Sequence, residues 1–150
     1  MKTADVIIVG SGASGLFNAL FLPQDYKVIV ITKKEVEESD SFLAQGGISA
    51  LKNPEDYDSY FEDTMKAGHY ENDKGAVEKM IKESPQIIQD LKDFGVRFDL
   101  KDGEIEFTRE GGHSTFRILH HEDLTGKEIT SHLYAVSYTH LRAHETLSDL

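Results

Sequence analysis

The sequence predicts an α/β protein, and three features near its start carry that prediction. A run of β-branched residues, Val6–Val9, indicates a strand, and the apolar segment Ala13–Leu22 favours a helix. Lys27–Ile31 repeats the strand pattern, so the three segments predict a right-handed, parallel β-α-β unit with two buried strands. Between the first strand and the helix, glycines stand in G-x-G-x-x-G spacing at Gly10, Gly12 and Gly15.

This spacing, between a strand and a helix, is the fingerprint of a Rossmann-like dinucleotide-binding turn. The first glycine permits the tight turn, the second lets the backbone approach a pyrophosphate, and the third lets the helix pack on the strand. Backbone N–H groups and the positive end of the helix dipole would then face the phosphates. The alternative is a glycine-rich turn that binds nothing.

The end of the second strand departs from the pattern expected for NAD. Such folds place an acid there, roughly 20 residues after the glycines, to bind the ribose hydroxyls. Thr32, Lys33 and Lys34 occupy this position, and the nearest acid, Glu35, lies beyond it. The Thr32 hydroxyl could still bind a ribose and Lys33 could lie near a phosphate or the adenosine. The alternative for the lysines is a solvated strand end.

Composition limits the function classes. The 150 residues suffice for one domain, and the net charge of −11 disfavours nucleic acid and anionic membrane surfaces as partners. No apolar run approaches the ~20 residues of a membrane-spanning helix, and the first strand leaves no room for a secretory signal. Without cysteine there is no disulfide or thiolate metal site. A cytoplasmic location is the simplest expectation.

The middle of the chain is predicted to be helical after a polar loop over Glu35–Asp40. Aromatic residues at helical spacing indicate a helix over Glu55–Ala67, with these aromatics in the core. Asp73 is predicted to cap a second helix that Pro85 must kink or divide and that ends at Gly95. The apolar face of this second helix is predicted to contain Val77, Met80, Ile81, Ile87, Ile88, Leu91 and Phe94.

A hairpin and a polar turn follow the helices. Val96–Leu100 and Glu104–Phe107 flank an Asp-Gly turn, which predicts an antiparallel pair outside the parallel sheet, at the margin of a substrate cleft. Thr108–Ser114 gathers charges, an imidazole and a hydroxyl around two glycines, which favours recognition of a small charged ligand, the alternative being a hydrophilic turn. No metal is expected at the paired His120 and His121. A last helix is predicted from Glu128 to about Ala135.

Several of these stretches together resemble the start of the L-aspartate oxidases, in the fumarate reductase and succinate dehydrogenase flavoprotein family. The stretches are V-I-I-V-G-S-G-A-S-G at 6–15, A-Q-G-G-I at 44–48, T-R-E-G-G-H-S at 108–114 and T-G-K-E at 125–128. The resemblance implies an FAD-binding β-α-β start with a helical and β-hairpin extension toward a capping domain. Residues 1–135 would then be the N-terminal part of the FAD-binding domain, an incomplete fold.

The resemblance also implies FAD as the cofactor and a set of residues that contact it. Asp40 stands where membrane-bound relatives carry the flavin on a histidine, so the FAD is expected to be non-covalent. The pyrophosphate would lie on the glycine turn, Lys33 would contact FAD, and the segment after Asp40 would run along the flavin. The full predicted set is Gly10, Ser11, Gly12, Ala13, Ser14, Gly15, Lys33, Asp40, Ser41, Phe42, Leu43, Ala44, Gln45, Gly46 and Gly47.

The implied reaction is oxidation of L-aspartate to iminoaspartate, with O2 or fumarate as acceptor, at the start of NAD synthesis through quinolinate. Quinolinate synthase is then a possible partner. Dicarboxylate enzymes of the family carry an apolar residue before the Gly-Gly corner, whereas Glu110 here could pair with the substrate ammonium. His113, Ser114 and Thr115 are further substrate-binding candidates, and the catalytic residues are expected downstream. The alternatives are a soluble fumarate reductase or succinate dehydrogenase-like enzyme, or a catalytically inactive fragment.

Residues 136–150 do not resemble the family. They are expected to be a non-native tail of a truncated reading frame, the alternative being a divergent helix. The i,i+4 pair of His140 and His144 is accordingly given no metal-binding role.

Overall fold

The computed structural model describes residues 3–140, and it divides them into two compact units. The first unit comprises residues 3–45, 94–96 and 124–140, and the second comprises 46–93 and 97–123. The last ten residues of the expected non-native tail, with His144, lie outside the described range. The helices are α1 (Ala13–Leu20), α2 (Asp40–Leu43), α3 (Tyr57–Ala67), α4 (Lys74–Asp93) and α5 (Thr125–His140). The strands are β1 (Val6–Val9), β2 (Val28–Ile31), β3 (Ile48–Ser49), β4 (Leu100–Lys101), β5 (Glu104–Ile105), β6 (Phe107–Thr108) and β7 (Ile118–Leu119).

The first unit contains the predicted β-α-β arrangement. Strands β1 and β2 pair in parallel from Val6 opposite Val28 to Val9 opposite Ile31, and α1 connects them in sequence. Helix α1 ends at Leu20, two residues earlier than predicted. Pro23 explains the early end, because a proline disfavours helical backbone in the residue before it.

The prediction that both strands are buried is wrong: the residues of β2 are half-buried, and β1 exposes one face. Ile7 is 59% exposed and Val9 is 83% exposed, whereas the other face of the strand meets α1 near Gly15. The described residues supply a two-stranded sheet here, with α1 on one face. The apolar side chains on the opposite face of β1 therefore reach the surface of this unit.

The segment predicted as a loop after β2 is partly helical. A short 3-10 helix spans Val36–Glu38, and Ser39 caps α2 by accepting a hydrogen bond from the Phe42 N–H at 3.2 Å. The buried Val36 gives this acidic stretch an anchor that its composition does not reveal. Helix α5, which packs against α1 and α2, begins at Thr125 rather than Glu128 and continues beyond the predicted end at Ala135.

Helices α3 and α4 form the core of the second unit, as predicted. Tyr60 and Met65 of α3 pack with Val77 and Ile81 of α4 in one buried cluster. Asp73 caps α4 through the Ala76 N–H at 2.8 Å. Met80, predicted on the apolar face, is instead 47% exposed, whereas Val77, Ile81, Ile88 and Leu91 are buried.

Helix α4 runs through Pro85 as one element, so of the two predicted effects, a kink or a division, the division does not occur. Pro85 has no N–H for the Ile81 carbonyl, which is the normal helical partner of that position. The Ser84 hydroxyl donates to this carbonyl instead, at 2.7 Å, and in turn accepts the Leu51 N–H at 2.8 Å. A buried serine thus satisfies the backbone group that the proline leaves unpaired.

The second unit contains two small antiparallel sheets. In the first, β4 pairs with β5 across Asp102 and Gly103, whose φ values of 55° and 85° fit the predicted hairpin turn. In the second, β7 lies between β3 and β6. The strand predicted over Glu104–Phe107 is therefore split, because Phe107 pairs with Leu119 rather than with the hairpin.

A membrane-crossing helix is not found between residues 3 and 140, where each helix is too short or too polar to span a bilayer.

Candidate functional site

The glycine turn after β1 has the geometry that a dinucleotide diphosphate requires. Gly10 has a φ of 109°, which favours glycine, and its N–H donates to the Ile31 carbonyl at 2.8 Å. A Cβ at Gly15 would lie 2.1 Å from the Gly10 oxygen, so the helix can approach the turn this closely only through a glycine. A Cβ at Gly12 would lie 2.9 Å from Ser41 Oγ.

The start of α1 offers backbone donors to an anion. Gly12 is the N-cap residue, and no side chain caps it. The first turn of α1 contains no acidic residue, so no carboxylate of that turn competes for the N–H groups or opposes the helix dipole. These features fit the phosphate groups of a dinucleotide.

Two hydroxyls join the glycine turn to the end of β2. Ser11 is buried, and its hydroxyl donates to Thr32 Oγ1 at 2.8 Å. The Thr32 hydroxyl donates to the Lys34 carbonyl at 2.7 Å, so its proton is already engaged. Lys33 is exposed at the same strand end, and Lys34 pairs with Glu38 at 2.6 Å. Of the two lysines, Lys33 is the one that has no described ion pair and remains a candidate FAD contact.

The segment predicted to run along the flavin is largely exposed. Leu43 is 63% exposed, and Asp40, Ala44, Gln45 and Gly46 are exposed as well. Within the first unit, the start of α5 packs against this segment, and the Gly126 N–H donates to the Ala44 carbonyl at 3.0 Å. A Cβ at Gly126 would lie 2.1 Å from the Ser41 oxygen, which explains the glycine in the T-G-K-E stretch.

Glu110 lies in the loop between β6 and β7 of the second unit. Its Oε1 accepts the Gly47 N–H at 3.2 Å, and its carboxylate lies beside Gly46. A Cβ at Gly47 would lie 2.3 Å from a methyl carbon of Ile118, so this glycine is required by packing on β7. The structure thus joins two stretches on which the family resemblance rests, A-Q-G-G and R-E-G-G.

The other predicted substrate-binding residues of this loop contact acids of the second unit. Ser114 donates to Asp63 Oδ2 through its N–H at 2.7 Å and through its hydroxyl at 2.8 Å. The Thr115 hydroxyl donates to Asp56 Oδ1 at 2.7 Å. A substrate carboxylate would have to displace these acids to receive either hydroxyl proton.

Arg117 is the residue around which the hydrogen bonds of this loop are arranged, and no sequence motif predicted its role. Its side chain has no exposed area, and it forms ion pairs with Asp56 at 2.8 Å and Asp63 at 2.6 Å. It also contacts Ser59 Oγ at 2.7 Å and His113 Nδ1 at 3.1 Å. The sequence does contain one indication that Arg117 is buried and paired: it is the lone charged residue in the apolar run F-R-I-L at 116–119.

The ion pairs of Arg117 change the titration of its partners. Hydrogen bonds from Arg117 lower the pKa of Asp56 to about 2, against the effect of its burial. Burial raises the pKa of Asp63, but hydrogen bonds from Arg117 and Ser114 outweigh it, so that pKa also lies below its ordinary value. Asp56 raises the pKa of Arg117, so all three groups are charged at neutral pH.

Asp99 lies between the paired histidines. Its two carboxylate oxygens lie 3.2 Å from His120 Nδ1 and 3.3 Å from His121 Nδ1, and one of them also accepts the Glu122 N–H at 2.8 Å. Residues 3–140 contain no group of three or more histidines and acids arranged to hold a metal ion.

Comparison with known proteins identifies relatives over more than four-fifths of the chain. The L-aspartate oxidase of Clostridium perfringens is 44% identical over 128 residues, which are 85% of this chain and 29% of that protein. The L-aspartate oxidase of Clostridium acetobutylicum is 45% identical over 131 residues, which are 87% of this chain and 30% of that protein. The chain thus spans less than a third of the length of these curated relatives.

Two solved structures illustrate the fold that this chain shares. Mycobacterium smegmatis Sdh1 in complex with UQ1 superimposes with a TM-score of 0.79 at 32% identity, over 88% of this chain and 23% of that one. Escherichia coli quinol fumarate reductase gives a TM-score of 0.84 at 26% identity, over 91% of this chain and 24% of that one.

A family model described as an FAD binding domain matches residues 5–147. This match includes the glycine turn, the exposed segment after Asp40 and the loop that carries Glu110. It also fits the geometry of the turn, in which the uncapped start of α1 can receive a diphosphate. The chain therefore belongs to the FAD binding domain family, whose cofactor is FAD.

Proposed function

We propose that this chain supplies the FAD-binding start and the substrate-selecting loop of an L-aspartate oxidase, an enzyme that oxidises L-aspartate to iminoaspartate. The observation that carries the proposal is the 44–45% identity with proteins named L-aspartate oxidase over more than four-fifths of the chain. The position of Glu110 gives a physical reason for that substrate.

Glu110 has one carboxylate oxygen available for a ligand. Oε1 accepts the Gly47 N–H, whereas Oε2 has no hydrogen-bond partner within residues 3–140. L-Aspartate differs from succinate by an α-ammonium group, and a carboxylate that accepts this group forms a charge-assisted hydrogen bond. With succinate the same carboxylate would have no partner, which disfavours that ligand. Glu110 is therefore proposed to select the amino acid.

FAD, when bound, supplies the acceptor for the hydride of the substrate. The residues proposed to hold it are the glycine turn, Lys33 and the segment from Asp40 to Gly47. The carboxylate of Asp40 cannot form the covalent link that a histidine makes to a flavin in membrane-bound relatives. The proposed FAD is accordingly non-covalent and is released when the protein is denatured without proteolysis.

The test of substrate selection is to replace Glu110 with glutamine or leucine in the full chain, as its gene encodes it. A hydrogen bond to a charged group contributes about 1.5–3 kcal/mol, so the KM for L-aspartate should rise about tenfold or more. Binding of succinate should stay constant or improve in the leucine variant. Glu104, an exposed acid of the β4–β5 hairpin, provides the matched control as Glu104→Gln. Unchanged aspartate selectivity in both Glu110 variants would refute the assignment.

A second candidate is a dicarboxylate flavoenzyme such as a soluble fumarate reductase. The likeness to quinol fumarate reductase and to Sdh1 favours it. The two candidates are separated by the reaction measured: the first predicts ammonia and oxaloacetate formation from L-aspartate after iminoaspartate hydrolysis, and the second predicts fumarate reduction without any activity on L-aspartate.

A third candidate is a chain that is catalytically inactive by itself. Its exposed β1 face supports this view, because a strand pair with one uncovered apolar face is a weak platform for a cofactor. The absorbance spectrum of the purified 150-residue chain tests it. A yellow complex with one FAD per chain would reject this candidate, whereas a colourless chain would support it.

The remaining predictions concern partners and location. O2 or fumarate as electron acceptor and quinolinate synthase as a consumer of iminoaspartate follow from the family resemblance. A cytoplasmic site of action follows from the composition of the sequence, which contains no cysteine.

A further inference from the structure

The buried guanidinium of Arg117 uses all of its hydrogen-bond donors. Nε donates to Asp56 Oδ2 at 2.9 Å, and Nη2 donates to Asp56 Oδ1 at 2.8 Å and to Ser59 Oγ at 2.7 Å. Nη1 donates to Asp63 Oδ2 at 2.6 Å and lies 3.1 Å from His113 Nδ1. A guanidinium has five N–H donors and no acceptor, so each donor here has one partner.

This arrangement determines the tautomer of His113. Because Arg117 can only donate, His113 Nδ1 must accept, and the proton of the neutral imidazole must therefore be on Nε2. A proton on Nδ1 would place two N–H groups against each other and leave a donor of a fully buried cation unpaired, which is costly. Arg117 cannot move away to relieve such a clash, because its guanidinium is held by ion pairs with Asp56 and Asp63. The centroid of the Tyr60 ring also lies 4.8 Å from Arg117 Cζ.

His113 Nε2 is the atom left to interact with a ligand. It has no hydrogen-bond partner among residues 3–140, and the imidazole is partly exposed. The His113 N–H donates to the Glu110 carbonyl at 3.2 Å, so the two residues belong to one tight turn. One turn thus presents a carboxylate acceptor at Glu110 and an N–H donor at His113, which match the ammonium and a carboxylate of an amino acid.

We propose that Arg117 is a positioning residue that holds His113 as the Nε2–H tautomer, so that His113 donates a hydrogen bond to a carboxylate of the substrate. The inference rests on the proposed function for the identity of the substrate. The tautomer itself follows from the contacts of Arg117 and is measured without any turnover.

The direct test is the tautomer of His113 in the full chain, read from long-range 1H–15N correlations of the imidazole. The signal of His113 is assigned by its loss in His113→Gln. The expected result is an Nδ1 shift typical of an unprotonated nitrogen and an Nε2 shift typical of an N–H. A proton on Nδ1, or rapid exchange between both tautomers, would overturn the inference even if the enzyme oxidises L-aspartate.

Two variants separate the ligand role of His113 from its support of Arg117. Glutamine places an amide N–H near the Nε2 position, whereas asparagine places an amide oxygen near the Nδ1 position and can still accept from Arg117. We therefore expect both variants to raise the KM for L-aspartate: His113→Gln about threefold, because the donor remains without its support from Arg117, and His113→Asn about tenfold, because the donor itself is lost. Stability against urea should follow the reverse order, with His113→Asn the more stable variant.

The two variants are thus expected to rank in opposite orders for substrate affinity and for stability, and this result distinguishes a ligand role of His113 from a merely structural one. If His113 only supports Arg117, the KM should follow stability, and the glutamine variant should be the worse one in both measurements. That outcome would refute the ligand role. If the unmodified enzyme shows no activity on L-aspartate, the proposed function fails, and the tautomer measurement still decides whether Arg117 positions His113.

Discussion

Replacement of Asp56 by asparagine tests whether the ion pairs of Arg117 hold the second unit together. The Asp56 carboxylate receives two hydrogen bonds from Arg117 and one each from Ser59 and Thr115. An isosteric amide keeps the shape but leaves a completely buried guanidinium with one remaining carboxylate, that of Asp63. Breaking a buried pair costs about 3–5 kcal/mol, and we expect about 3 kcal/mol because Asp63 remains.

The assay is equilibrium unfolding in urea at pH 7, followed by circular dichroism. Asp58→Asn is the matched control, because Asp58 lies in the first turn of α3, two residues after Asp56, and its side chain is exposed. The control should change the free energy of unfolding by no more than about 0.5 kcal/mol. A loss below about 1 kcal/mol in Asp56→Asn would show that Arg117 does not depend on this acid.

The same acid predicts a pH dependence with a defined sign. The pKa of Asp56 is about 2 in the folded chain and 3.8 as its ordinary value, so the folded state favours the charged form. Its contribution, about 2 kcal/mol, is fully present above about pH 4 and is lost as the pH falls toward 2. Asp56→Asn should lack this part of the acid-induced loss of stability. Parallel pH profiles for the variant and the unmodified chain would contradict the reasoning.

Two further substitutions test the backbone contacts described above. Gly15→Ala should abolish FAD binding and lower the thermal midpoint, because its Cβ would lie 2.1 Å from the Gly10 oxygen; Gly111→Ala, where a Cβ meets nothing within 4 Å, should do neither. Ser84→Ala should cost about 1–3 kcal/mol in urea unfolding, because it leaves the half-buried Leu51 N–H without its acceptor and the Ile81 carbonyl without its donor. A change below about 0.5 kcal/mol would disprove that role of the serine.

Much of the first unit could be predicted from the sequence because its signals are local. The β-branched runs, the glycine spacing and the apolar segment each depend on neighbouring residues, and β1, α1 and β2 lie where these patterns indicate. The burial of β1 could not be predicted, since it depends on what packs on the strand. Ile7 and Val9 look like core residues in any sequence-based assessment, but their exposure is a tertiary property.

The loop between β6 and β7 shows the limit of sequence reasoning about the site. The stretch T-R-E-G-G-H-S indicated ligand recognition, and Glu110 does lie against Gly47. The roles of Ser114 and Arg117 depend on acids more than fifty residues away in sequence, which no local pattern connects. Similarly, a proline inside a helix predicts a break, but in α4 the Ser84 hydroxyl replaces the donor that Pro85 lacks.

The open face of β1 has a practical consequence for anyone who handles this polypeptide. Ile7 and Val9 form an exposed apolar surface on a two-stranded parallel sheet, and exposed apolar surfaces promote association between molecules. Light scattering of dilute and concentrated samples should therefore show concentration-dependent self-association. Val9→Lys should reduce this self-association, because it places a charge on the exposed face of β1 and leaves the opposite face of the sheet unchanged.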